Sequence, residues 1–86
     1  MKYRSRTDIT SQILQAANGG TTKTKIMYNA YLSYAQLKEY LSVLIENGLI
    51  VYIEAERQYR TTGKGLQFLG AYKQMDRMTG QMRVEV

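Results

Sequence analysis

Lys23-Thr24-Lys25-Ile26-Met27-Tyr28-Asn29-Ala30-Tyr31-Leu32-Ser33-Tyr34-Ala35-Gln36-Leu37 contains two helix starts with very little chain between them. Thr22 or Thr24 opens a helix that runs to Ala30, about two turns, with Ile26, Met27 and Ala30 as its apolar positions. Ser33 and Gln36 then have the spacing of a capping box, ahead of Leu37, Leu41 and Leu44 on one face of the next helix. Only Tyr31 and Leu32 intervene, and so short a connection holds two helices at a steep angle, which is helix-turn-helix geometry.

Working outward, Asn18-Gly19-Gly20 ends an earlier helix expected from Asp8 to Ala17, capped by Asp8 or Thr7 and carrying Ile9, Ile13, Ala16 and Ala17 at helical spacing. Asn47-Gly48 closes the third helix, which spans 33–47. The β-rich run Leu49-Ile50-Val51-Tyr52-Ile53, the polar turn Glu54-Ala55-Glu56-Arg57 and Gln58-Tyr59-Arg60-Thr61 read as a β-hairpin. A last helix is expected from Thr62, its continuity weakened by Gly80. This order predicts an α+β, mainly α fold: a winged helix-turn-helix of three helices, a β-hairpin wing and a C-terminal helix. No repeat or Pro-rich linker divides the chain. Residues 1–86 therefore read as a single winged-helix DNA-binding domain, with 62–86 as its C-terminal dimerisation helix.

At 86 residues such a domain buries a limited core, and without Cys or His it has neither disulfides nor the usual zinc sites to help it. A second subunit is the remaining aid. Phe68, Tyr72, Met75, Thr79 and Met82 recur at spacings of four and three, a stripe longer than one small domain covers, which predicts a homodimer through the last helix. Phe68 and Tyr72 also fit the closing of the monomer core, so Met75 and Met82 carry the dimer expectation. Gly80 costs a helix ~1 kcal/mol relative to Ala, which predicts a short interface ending near Met78.

Twelve Lys and Arg against seven Asp and Glu give a net charge of +5, which suits an anionic partner. The arrangement of those charges is more informative. Lys23 and Lys25 stand at the start of the second helix, where a helix-turn-helix meets phosphate. On the third helix, in the major groove by this reading, Gln36 has the groups to pair with adenine and Ser33, Tyr34 and Ser42 have hydroxyls for bases or phosphates, with Lys38 at a flank. Tyr34 stands at the apolar edge and fits the core equally well. Arg57 and Arg60, with Lys64 beyond, are the basic candidates on the wing, although Glu54 and Glu56 lower its charge. Lys2, Arg4 and Arg6 read as a flexible basic arm. Tyr28, Tyr40 and Tyr52 fall beside core positions, so the eight tyrosines read as packing rather than as a stacking platform.

The block Lys23-Thr24-Lys25-Ile26-Met27-Tyr28 to Leu32-Ser33-Tyr34-Ala35, with Asn47-Gly48-Leu49-Ile50 and Tyr59-Arg60-Thr61-Thr62 followed by Lys64-Gly65-Leu66, resembles archaeal winged helix-turn-helix DNA-binding proteins of about this size. The resemblance covers most of residues 8–78. It implies double-stranded DNA binding, regulatory or sequence-tolerant, in an archaeal cytoplasm or nucleoid. It also implies a homodimer formed by an antiparallel coiled coil of last helices.

The other function classes fit less well. Without His or Cys there is no usual triad or thiolate nucleophile, so an enzyme is not expected. Gly19-Gly20-Thr21-Thr22-Lys23-Thr24 lacks the spacing of a phosphate-binding loop. Neither a cofactor motif, a small-molecule site nor an apolar run of membrane-spanning length is present, and the basic N-terminus lacks the apolar stretch of a secretory signal. A winged-helix protein-interaction module without DNA binding is the alternative, because fold does not fix function. The discriminating feature is whether Lys23, Lys25, Arg57 and Arg60 converge on the side that carries Gln36.

Overall fold

The computed structural model describes residues 4–82, with side chains for 4–78. Its elements follow the order α1 (Arg6–Ala16), α2 (Lys23–Asn29), α3 (Tyr34–Glu46), β1 (Ile50–Ile53), β2 (Gln58–Thr61) and α4 (Gly63–Met82). The expected winged helix-turn-helix is present: a helical bundle, mainly α, with a two-stranded antiparallel hairpin docked against it.

Each helix start has a local chemical cause. Thr22 caps α2 by accepting from the Lys25 backbone N–H, and Ser33 and Gln36 complete the expected capping box of α3. The start of α1 differs from expectation. Ser5, rather than Thr7 or Asp8, is its cap, and Asp8 is the third helical residue, reaching back to the Ser5 backbone N–H in a second capping box. At the other end of α3, Gly48 adopts φ +74, and Gly48 and Leu49 donate to the carbonyls of Ile45 and Leu44. These are the two bonds of a Schellman motif, and its left-handed residue suits glycine.

The apolar stripes meet in one cluster: Ile13 and Leu14 of α1 with its C-cap Ala17, Ile26 of α2 with its C-cap Ala30, Leu32 of the turn, Leu37, Leu41 and Leu44 of α3, Ile50 of β1 and Leu69 of α4. Burying each large aliphatic side chain contributes about 1.5–3 kcal/mol. The hairpin register pairs Ile50 with Thr61 and Tyr52 with Tyr59 on one face, leaving Val51, Ile53, Gln58 and Arg60 on the other. Thr61 ties β2 to α1 by donating its hydroxyl to the Leu14 carbonyl at 2.6 Å and its backbone N–H to the Ala17 carbonyl. Thr21 and Tyr59 exchange backbone bonds of 2.9 and 2.8 Å, adding a one-residue third strand that joins the α1–α2 loop to the hairpin.

The last helix starts after Thr62, whose hydroxyl donates to the Gly48 carbonyl and accepts from the Gly65 backbone N–H. At Gly65 a Cβ would lie 2.3 Å from the Leu49 carbonyl oxygen, so this close approach of α4 to the chain entering β1 requires glycine. Phe68 packs on the core cluster. Tyr72 donates its hydroxyl to Asp8 Oδ1 at 2.5 Å, and this bond to a carboxylate, then burial, raises its pKa. The helix continues through Gly80 to Met82, so the expected weakening there does not end it.

Candidate nucleic-acid interface

One flank of α3, beside its buried leucines, carries exposed polar side chains and is bounded by α2 and the hairpin. Leu37, Leu41 and Leu44 take the inner side, so Tyr34, Lys38 and Ser42, close in angle around the helix axis, are all exposed. Together with Lys23 of α2 and Tyr59 of β2 they line one depression, floored in part by Leu41 and Ile45. Tyr34, 54% exposed, is therefore a surface residue and not part of the core.

Lys23 is positioned by α3. Its Nζ donates to the Tyr34 hydroxyl at 3.3 Å and stands 4.6 Å from the centre of the Tyr34 ring. An ammonium has three donors, so two remain for a ligand, and the Tyr34 hydroxyl that accepts from Lys23 still has its own hydrogen to give. Two cations and two hydroxyls, those of Tyr34 and Ser42, therefore share a concave surface, a donor-rich arrangement suited to an anion.

The other expected contacts are distributed differently. Ser33 and Gln36 are engaged with each other, with the Gln36 Oε1 accepting from the Ser33 backbone N–H at 3.0 Å and the Ser33 Oγ from the Gln36 N–H at 3.2 Å. Gln36 also lies about 160° around the helix from Lys38. Lys25 is exposed but likewise about 160° around α2 from Lys23, away from the depression. Arg60 lies on the hairpin face opposite Tyr59, beside Gly20, and its guanidinium pairs with Glu56 at 3.2 Å. Arg57 is exposed in the turn at the hairpin tip, at φ +53. Lys23 thus meets Lys38, while Lys25, Arg57, Arg60 and Gln36 do not gather with them.

Several residues have roles that the sequence did not suggest. Arg4 is not part of a free arm: its guanidinium donates to the carbonyls of Ala30 and Tyr31 and to Gln12 Oε1. Arg6 stands 5.4 Å from the Tyr40 ring centre, and Lys64 donates to the Asn47 carbonyl at the end of α3. Lys2 lies outside the described residues. Tyr40 is half-buried beside the core as expected, and Tyr52, though exposed, packs its ring 4.8 Å from that of Tyr59, whereas Tyr28 is exposed, against the expectation that it packs beside the core. The short range of sequence periodicity explains these misses. Arg4 reaches a turn 26 residues away, and the bridge at Thr21 is a single residue with no alternation to detect.

A helix-turn-helix pair backed by α1, with a hairpin seated beside the second helix of the pair, defines the winged helix-turn-helix class. Residues 3–80 match the family model described as winged helix-turn-helix, and the chain belongs to that family. Among solved structures it is similar to the crystal structure of Sso10a-2, a DNA-binding protein from Sulfolobus solfataricus. The TM-score is 0.71 and the identity 19%, over 95% of this chain and 100% of that one, which is a likeness of fold. No curated protein matches the chain.

Proposed function

We propose that this chain is a double-stranded DNA-binding protein of the cytoplasm or nucleoid, not a catalyst, with α3 as the recognition helix in the major groove. The observation that carries the proposal is the meeting of Lys23 and Lys38 with the hydroxyls of Tyr34 and Ser42 on the open side of α3. In a helix-turn-helix this side faces the groove, and lysines at its border neutralise flanking phosphates. The similarity to a Sulfolobus DNA-binding protein favours an archaeal transcriptional regulator or nucleoid-associated protein. Lys25, Ser33, Gln36, Arg57 and Arg60 are outer contacts in this scheme, with Arg60 available only when it leaves Glu56.

Titrating a labelled duplex at several salt concentrations tests the proposal: affinity should fall steeply as salt rises, because bound lysines displace condensed counterions. Absence of binding at low ionic strength would contradict it. Selection from a random DNA pool separates the two roles, since only a site-specific regulator enriches a motif.

The chain is further proposed to act as a homodimer, residues 1–86 forming one domain and 62–86 the dimerisation segment, of which Gly63–Met82 is helix and 83–86 lie outside the described residues. Met75 and Met78 are 59% and 60% exposed on α4, an apolar surface that pairing with a second α4 would cover. Phe68 and Tyr72 border that surface while already packing in the monomer, and the Met82 side chain lies outside the described ones. Sedimentation equilibrium of wild type and Met75→Glu tests this; a monomer at micromolar concentrations would defeat it.

The protein-interaction alternative draws support from the dispersal of Lys25, Arg57 and Arg60 away from the depression. A wild type that binds no duplex at low salt would favour it.

A further inference from the structure

The side chain of Tyr31, in the turn between α2 and α3, belongs to neither the core nor the interface described above. Its φ is +53, the left-handed region, which is unfavourable for a bulky aromatic residue and costs on the order of 1 kcal/mol. Glycine or asparagine occupies such a position with less strain. Burial does not compensate, because Tyr31 is 80% exposed. Neither backbone conformation nor packing therefore calls for tyrosine here.

The strained turn is nevertheless held firmly. Arg4 donates to the carbonyls of Ala30 and Tyr31 and to Gln12 of α1, so one guanidinium ties the turn to a third element. The Tyr31 and Leu32 backbone N–H groups donate to the Tyr28 and Met27 carbonyls. Tyr31 precedes the Ser33 cap by two residues and Tyr34 by three, so the residue stands at the N-terminal end of the recognition helix, with its side chain exposed. That end of the helix approaches base edges and the adjoining backbone. A tyrosine offers a rigid apolar face with few rotamers to lose and a hydroxyl at its tip, which suits a sugar next to a phosphate.

We propose that Tyr31 is a DNA-contacting residue, its ring packed on a deoxyribose at the edge of the major groove and its hydroxyl donating to a phosphate oxygen. Arg4 is the positioning residue that holds it there. The inference rests on the DNA-binding reading. It assigns Arg4 a part in presenting the turn rather than in neutralising phosphate.

Duplex binding by the full chain, measured across salt concentrations alongside thermal melting, tests it with Tyr31→Asn, Tyr31→Phe, Arg4→Ala and Lys38→Ala. Tyr31→Asn suits the left-handed turn, so it should melt at or above the wild-type temperature yet bind about tenfold more weakly, the scale of one lost aromatic contact. Its salt slope should be unchanged, because a neutral side chain displaces no counterion. Tyr31→Phe, which keeps the ring and loses only the hydroxyl, should lose about threefold, the net scale of one solvent-exchanged hydrogen bond. Arg4→Ala should weaken binding with its slope retained, and adding it to Tyr31→Asn should cost little more, since both changes remove one contact. Wild-type affinity in Tyr31→Asn, with Lys38→Ala weakened, would overturn the inference and leave the DNA reading standing. A slope lower by about one in Arg4→Ala would make Arg4 a phosphate contact and overturn its positioning role. No duplex binding by the wild type would remove both.

Discussion

The helix-turn-helix and the hairpin both carry basic residues, but they deploy them in opposite ways. In the first, Lys23 is propped against Tyr34 and opens onto the same depression as Lys38. In the second, Arg60 is paired with Glu56 on the far face of the sheet, and Lys64, just beyond it, closes the end of α3. Arg4 and Arg6, the described basic residues of the N-terminal segment, are likewise engaged within the protein. A net charge of +5 therefore overstates the charge directed at a partner. Location relative to other elements decides what each cation does, and here it favours α2 and α3 over the wing.

The largest expected effect comes from unseating the hairpin. Gly65→Val would drive side-chain atoms into the Leu49 carbonyl and the Thr61 methyl, against backbone that has little room to move, at a cost of about 3 kcal/mol. Chemical denaturation should show this loss, and a wild-type midpoint would mean that α4 and the hairpin are not held so closely.

Next in size is removal of the outward charges. Lys23→Ala with Lys38→Ala should lower duplex affinity by about ten- to hundredfold and reduce the salt slope by about two, whereas Arg60→Ala should change the slope little. Equal effects of the two would erase the distinction between the helices and the wing.

A smaller effect concerns the seat of α4 on α1. Tyr72→Phe should cost about 1 kcal/mol at neutral pH by removing the hydroxyl bonded to Asp8. The folded-state pKa of Tyr72 is raised, so its stabilisation is complete below the unfolded value near 10 and is lost as pH rises through the higher folded value. Melting curves of wild type and variant should accordingly converge in strong alkali, and a gap that widens there would contradict the assigned bond.

The smallest effect sharpens the wing's side of the comparison. Glu56→Gln removes the partner of Arg60, an exposed pair of little stabilising worth, and should raise duplex affinity about twofold with almost no change in stability. Fluorescence anisotropy is sensitive enough to detect it. Weaker binding would give the glutamate a positive part in recognition.

Most of the fold could be read in the sequence because its signals are local. The Ser33–Gln36 spacing, the Asn47-Gly48 stop and the change from helical to alternating pattern each act within a few residues. The Ser5–Asp8 capping box was equally local, but basic neighbours made the segment look like a loose arm. The site was less legible. Gln36 has two chemically sound uses, and closing the helix end takes its carbonyl oxygen. Tyr59 joins the depression only because the register turns it, and not Arg60, toward α3. Which face of a two-residue alternation looks inward is fixed by packing, and the sequence states only the alternation.

The most direct measurement is an NMR titration of isotope-labelled protein with a short duplex at low salt. Amide and side-chain shifts should concentrate at Lys23, Tyr31, Tyr34, Lys38 and Ser42, with weaker changes at Arg57 and Arg60 and little along the exposed side of α4. Shifts confined to α4 or to the hairpin, with Tyr34, Lys38 and Ser42 unmoved under saturating DNA, would contradict a recognition surface on α2 and α3.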